Sequence, residues 1–316
     1  MGQQVNVYRK LKFWPGAVVE GFPGAYPGEG ATYYVNNITG STTADGLSWN
    51  SALSTVNAAI TASEARRDLQ ATTNEYIRNT IIIQGTGTDH SAVATADCNY
   101  NDFVGLGANV RGDGVGICVI SGSAGTTGAA DAWSFTATTR GNSWYNIQFD
   151  GNGTSYCAFD ATSILRSTWE ECGFMGDAHV NAALIAGLRT TGALDGCTIL
   201  DCIFGSNWAA PTSGISVGDS LGSTRIENCI ISAATNGIII STDGLTGQSV
   251  IKGCMIDAGT YGIRSLSAQT RLWIVGNYIS STDAISIIAG STLTGEHMCL
   301  GNVVSNAGTI AWEAVA

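Results

Sequence analysis

Seven stretches of this sequence align without a gap: Trp144-Tyr-Asn-Ile-Gln-Phe149, Trp169-Glu-Glu-Cys-Gly-Phe174, Ile199-Leu-Asp-Cys-Ile-Phe204, Ile226-Glu-Asn-Cys-Ile-Ile231, Ile251-Lys-Gly-Cys-Met-Ile256, Ile274-Val-Gly-Asn-Tyr-Ile279 and Cys299-Leu-Gly-Asn-Val-Val304. Their fourth positions fall at 147, 172, 202, 229, 254, 277 and 302, so the spacings are 25, 30, 27, 25, 23 and 25 residues. A period of this size in short β-rich segments is the signature of a solenoid. Several rows are followed by a second apolar element, as in Asn236-Gly-Ile-Ile-Ile240, Tyr261-Gly-Ile263, Asp283-Ala-Ile-Ser-Ile287 and Gly308-Thr-Ile310. Each such coil therefore carries at least two strands and adds ~4.8 Å of height.

The columns assign a task to each position. The first and sixth are mostly large and apolar, which predicts that they face the interior. The third reads Asn146, Glu171, Asp201, Asn228, Gly253, Gly276, Gly301, mostly residues that tolerate φ > 0, which predicts a sharp bend. The fourth reads Ile147, Cys172, Cys202, Cys229, Cys254, Asn277, Asn302, an inward ladder of asparagine partly rewritten in cysteine. The fifth lies between two inward positions and should face outward.

These Gly-Asn-x-Ile and Asn-Gly-Ile rows resemble the pectate-lyase-like superfamily of right-handed parallel β-helices, over about residues 80–316. In style the rows are closest to phage tailspikes and β-helical capsid decoration proteins. The resemblance implies an all-β fold, a right-handed parallel β-helix, with an N-terminal arm over residues 1–31 and an opening strand with a capping helix over 32–79. Tyr33-Tyr-Val-Asn-Asn37 and the segment from Asp45 to Asp68 look like the lead-in of such tailspikes, where a helix covers the open end of the solenoid. Leu53, Val56 and Ile60 fall on one helical face, with Ser51 placed as an N-cap.

A net charge of −11 disfavours nucleic acid, which requires a basic stripe to displace phosphate counterions. No stretch approaches the roughly 18 apolar residues of a membrane span, and the start lacks the apolar core of a signal peptide. The nine cysteines, an odd number, fit free thiols of a protein made in a cytoplasm better than a disulfide framework.

Chemistry-bearing motifs are sparse. Of the polygalacturonase motifs Asn-Thr-Asp, Asp-Asp, Gly-His-Gly and Arg-x-Lys, only the first has a partial match, Ser241-Thr-Asp-Gly244. Glycoside hydrolysis needs two carboxyl groups about 5–9.5 Å apart. Glu170 and Glu227 share the second column two coils apart, ~9.6 Å by strand spacing, with Leu200 between them. Glu171 and Asp201 belong to the bend. His90, His179 and His297 lack metal-ligand spacing, and Asp97-Cys-Asn-Tyr-Asn-Asp102 lacks the glycine and glutamate of a calcium loop, so neither metal nor cofactor is expected. Arg111-Gly-Asp113 suits a β-turn.

What remains is surface. Ile203, Ile230, Met255, Tyr278 and Val303 form an outward apolar column over five coils, ~20 Å long, which predicts an oligomer interface. The first 14 residues carry Arg9, Lys10 and Lys12 and no acid, a local charge of +3 against −14 for the rest, with Tyr8, Phe13 and Trp14 as apolar anchors. That pattern reads as a docking arm. The expectation is a non-enzymatic phage virion protein: a homotrimeric capsid decoration or short spike protein that docks on other virion proteins such as the major capsid protein. The alternatives are a tailspike or polysaccharide-degrading enzyme, acting on host surface polysaccharide through Glu170 and Glu227, and an adhesin.

Overall fold

The fold was determined as a computed structural model. It describes residues 30–68, 77–96, 98–110, 117–122, 130–153, 155–176, 184–205, 210–242, 248–267, 271–289, 298–305 and 309–314. The arm residues Tyr8, Arg9, Lys10, Lys12, Phe13 and Trp14 lie outside these, as do His179, His297, Asp243 and the Arg111-Gly-Asp113 tripeptide.

The described strands form three parallel sheets of ten, eleven and nine strands. One coil shows the plan: Arg225–Glu227 lies in the first sheet, Ile230–Ala233 in the second and Asn236–Ile240 in the third, and Ser249–Lys252 returns to the first beside Arg225–Glu227. Repetition of this path gives a right-handed parallel β-helix.

The corner between the first and second sheets is a single residue. All seven third-column positions adopt positive φ, from 52° at Asn146 to 67° at Gly301, so Glu171 and Asp201 serve backbone geometry there at 55° each. Beside the bend, the fourth column is buried from Ile147 to Asn277, and Asn302 is half-buried. Asn277 Oδ1 accepts the Cys254 N–H at 2.9 Å, Asn302 Oδ1 accepts the Asn277 N–H at 3.0 Å, and the two amides donate inward to the carbonyls of Ile251 and Ile274. In the cysteine half of the ladder, Cys202 and Cys229 thiols each donate at 3.3 Å to the carbonyls of Leu200 and Glu227.

A second ladder stands at the corner entering the first sheet. Asn142, Ser167, Cys197, Thr224 and Ser249 are buried one per coil. Ser167 and Ser249 hydroxyls accept the N–H groups of Asn142 and Thr224, and Thr224 Oγ1 accepts that of Cys197, each at 3.2 Å. The sequence carries the signal as a small residue two places before each of the first five rows, although the row pattern alone does not reveal it.

Interior contacts are like on like. Trp144 stacks on Phe103 and Trp169, Phe174 stacks on Phe149 and Phe204, and isoleucines continue both columns. In the third sheet a small column, Gly187, Gly214, Gly237, Gly262, Ala284, faces the larger side chains of the second; a Cβ on Gly237 would stand 2.4 Å from both the Gly262 carbonyl oxygen and Ile256 Cγ2.

The N-terminal end is closed by the helix Val56–Asp68, whose Val56, Ala59 and Ile60 join the solenoid core. Leu53 is buried too, but it precedes the helix and bridges to Val35. Ser51 is not the cap: it ends a short 3-10 turn, Trp49–Ser51, and Thr55 Oγ1 instead accepts the Ala58 N–H. The opening strand Thr32–Val35 pairs in parallel with Asn79–Gln84, and Tyr33, Val35, Leu53, Val56, Ala59 and Ile60 join the core of the solenoid.

Candidate functional site

The outward fifth column is continuous in register: Gln148 pairs with Gly173, and then Ile203, Ile230, Met255, Tyr278 and Val303 follow coil by coil. Ile203 is half-buried, whereas Ile230, Met255, Tyr278 and Val303 are 41, 56, 45 and 58% exposed. Across the bend lies the second column, where Lys252 and Leu300 are exposed and Val275 half-buried. Between the two ridges runs the glycine backbone of Gly253, Gly276 and Gly301; a Cβ on Gly276 would meet nothing within 4 Å. The surface is thus an exposed corner of the solenoid, with an apolar ridge on its second-sheet side and Lys252, Val275 and Leu300 on its first-sheet side.

The carboxylates are dispersed. Glu170 and Glu227 stand in one column of the first sheet with Leu200 between them. Glu227 is held by Arg225 of its own strand, Oε1 accepting from Nη2 at 2.7 Å. Asp102 accepts both Nε and Nη2 of Arg78, a guanidinium that also donates to the Gly141 carbonyl and the Ser143 hydroxyl. Arg78 therefore ties three successive coils together. Burial raises the pKa of the Tyr145 phenol in the same cluster.

On the outer face of the third sheet, sequence reasoning missed a triad. Arg189 holds Asp160 through two bonds of 2.7 and 2.9 Å, and Asp131 Oδ1 accepts the Cys157 N–H at 2.6 Å. The Asp131 carboxyl is raised above its ordinary pKa, chiefly by burial. The Asp160 side chain raises that of Arg189 through their hydrogen bonds. The signal lay in a register that the rows do not include, since Asp160 and Arg189 become neighbours only when the third-sheet strands are paired.

Eight of the nine thiols are buried and Cys299 is partly exposed; all are free. Burial pushes Cys118 and Cys197 up to about 12, and the hydrogen bond with Cys229 together with burial pushes Cys254 up. Such thiols are poor nucleophiles. Among the described residues no three His, Cys, Asp or Glu side chains converge to hold a metal ion, and no helix is long and apolar enough to cross a membrane.

The architecture defines the class, a right-handed parallel β-helix. A family described as periplasmic copper-binding protein (NosD) matches residues 181–294. The crystal structure of pectate lyase Pel9A is similar at a TM-score of 0.48 and 13% identity, over 87% of this chain and 78% of that one. No curated protein matches the sequence.

Proposed function

We propose that this chain is a non-catalytic structural protein of a phage virion that works as a homotrimer assembled along its apolar corner. The observation that carries the reading is the register-continuous stripe of Ile230, Met255, Tyr278 and Val303 on four successive coils. A monomer rarely leaves a contiguous apolar strip in water. Three copies around one axis would each bury it, at roughly 1.5–3 kcal/mol per side chain as an upper range. In this reading the basic arm attaches the trimer to an acidic neighbour such as the major capsid protein. Wild-type protein should sediment as a trimer and the Ile230→Asp/Met255→Asp variant as a folded monomer; a monomeric wild type contradicts the proposal. Deleting residues 2–14 should leave a trimer that no longer enters particles.

One observation favours a second reading, a polysaccharide-active enzyme: Asp131 is a carboxyl with raised proton affinity, suited to a general acid. Against it, the neighbouring Asp160 is consumed by Arg189, and Glu170 and Glu227 are separated by Leu200 and, for Glu227, paired. Oligosaccharide release from host surface polysaccharide that disappears in Asp131→Asn would establish the enzyme.

The copper binding in the name of the NosD family does not suit these residues. The matched stretch contains no histidine, and its thiols are spread over two separate corners of the solenoid, Cys197 on one and Cys202, Cys229 and Cys254 in line on the other, each donating to a backbone carbonyl.

A further inference from the structure

We propose that the copies meeting along this corner lie with their solenoid axes parallel and in the same direction, joined by an ion pair between Lys252 of one copy and Asp257 of the next. The inference rests on the reading of the stripe as a self-association surface and adds its orientation, register and charge contacts.

The argument begins with the borders of the stripe. In the coil of Met255, the first-sheet side of the corner ends in Lys252 and the second-sheet side carries Asp257 two residues past the ridge. Both are exposed, and neither has an ion-pair partner among the described residues. The nearest acid in the Lys252 column, Glu227, is already held by Arg225. Lys252 is also the one lysine in the chain after residue 12. The stripe is therefore flanked by opposite charges, a cation on one side and an anion on the other, at the same height on the solenoid.

Symmetry converts this asymmetry into an orientation. When copies are related by rotation about an axis parallel to the solenoid, the left flank of one faces the right flank of its neighbour at equal height, so Lys252 meets Asp257 around the whole ring. When they are related by a two-fold axis that reverses the solenoid, left faces left. Lysine then meets lysine and aspartate meets aspartate, which is repulsive. The ridge of Met255, Tyr278 and Val303 repeats every coil, at ~4.8 Å, in either direction, so the charges at its flanks decide the orientation.

The wild-type assembly can be tested without a variant. Equal amounts of isotopically heavy and light protein are mixed under conditions that allow subunit exchange, treated with a zero-length carbodiimide, and digested for mass spectrometry. The expected product is a heavy–light peptide pair joined through Lys252 and Asp257. A charge-reversal series reads the same contact: Lys252→Asp and Asp257→Lys should each weaken self-association about tenfold, and the double variant should return it to within about threefold of wild type. Circular dichroism verifies that each variant is folded. A wild-type oligomer without the mixed Lys252–Asp257 product, whose single reversals associate as well as wild type, overturns the orientation and leaves the stripe standing. A wild type that is monomeric overturns the self-association reading and this inference with it.

Discussion

At the scale of single residues, the solenoid depends on one strained position and one buried ladder position per coil. Asn146, Glu171, Asp201 and Asn228 accept φ near 50–55° without being glycine, a conformation that costs little for Asn and Asp and more for Glu171. The next residue is sealed in the core, so its tolerance is set by volume and by one donor. Replacing Cys229 by Leu should therefore cost about 1–3 kcal/mol through overpacking, whereas Cys229→Ser, which keeps a donor for the Glu227 carbonyl, should cost about half that or less. Chemical denaturation of the two variants checks this. For the same reason alkylation of native protein should modify Cys299 first, and the other eight thiols only after unfolding, as read by mass.

His90 supplies a pH dependence. Its ring is buried, with Nε2 on the Gln84 carbonyl and Nδ1 without a partner, and burial lowers its pKa below the ordinary 6.5. The unfolded chain therefore takes up that proton first as pH falls. The contribution of His90 is complete only well above the ordinary 6.5 and is lost progressively as pH falls through that value. Thermal melts of wild type should show falling stability from about pH 7.5 to about pH 5.5, and His90→Gln should flatten that slope. Asp131 acts in the opposite sense at lower pH, because a raised carboxyl pKa makes stability fall as pH rises above its ordinary 3.8.

At the scale of elements, the third sheet is pressed against the second through its glycine column. Gly237→Ala should destabilise by about 1–3 kcal/mol in denaturant melts, because the added methyl would stand 2.4 Å from a backbone oxygen and from Ile256 Cγ2. The capping helix depends on polar contacts as well as packing. Ser63 is fully buried and donates to Asn101 Oδ1 while accepting from Asn79 Nδ2 at 2.8 Å. Ser63→Ala should cost about 1–3 kcal/mol, because both amides lose a buried partner.

These elements also show what was legible in the sequence. The bend, the inward ladder and the outward column could all be read, since a parallel solenoid repeats its environment every coil and residue choice repeats with it. The helix start was misread because Ser51 and Thr55 both precede apolar residues, and only the chain path, with Leu53 pinned to Val35, decides between them. The burial of Ser63 was not legible locally, because its partners Asn79 and Asn101 are supplied by strands remote in sequence.

At the scale of the molecule, the same logic explains why the candidate surfaces were unevenly visible. Ile230, Met255, Tyr278 and Val303 share one column of the repeat, so the stripe could be named from the rows. The Asp131, Asp160 and Arg189 cluster spans loops and strands of unequal spacing, so pairing register alone brings it together. Half-buried Ile203 marks where the exposed part of the stripe begins, which places the proposed contact toward the C-terminal half of the solenoid. The most direct test of the account is an electron cryomicroscopy reconstruction of the wild-type protein in its assembled particle. The account predicts three solenoids running in the same direction around one axis, with Ile230, Met255, Tyr278 and Val303 buried between them. A reconstruction in which those four side chains face solvent would contradict it.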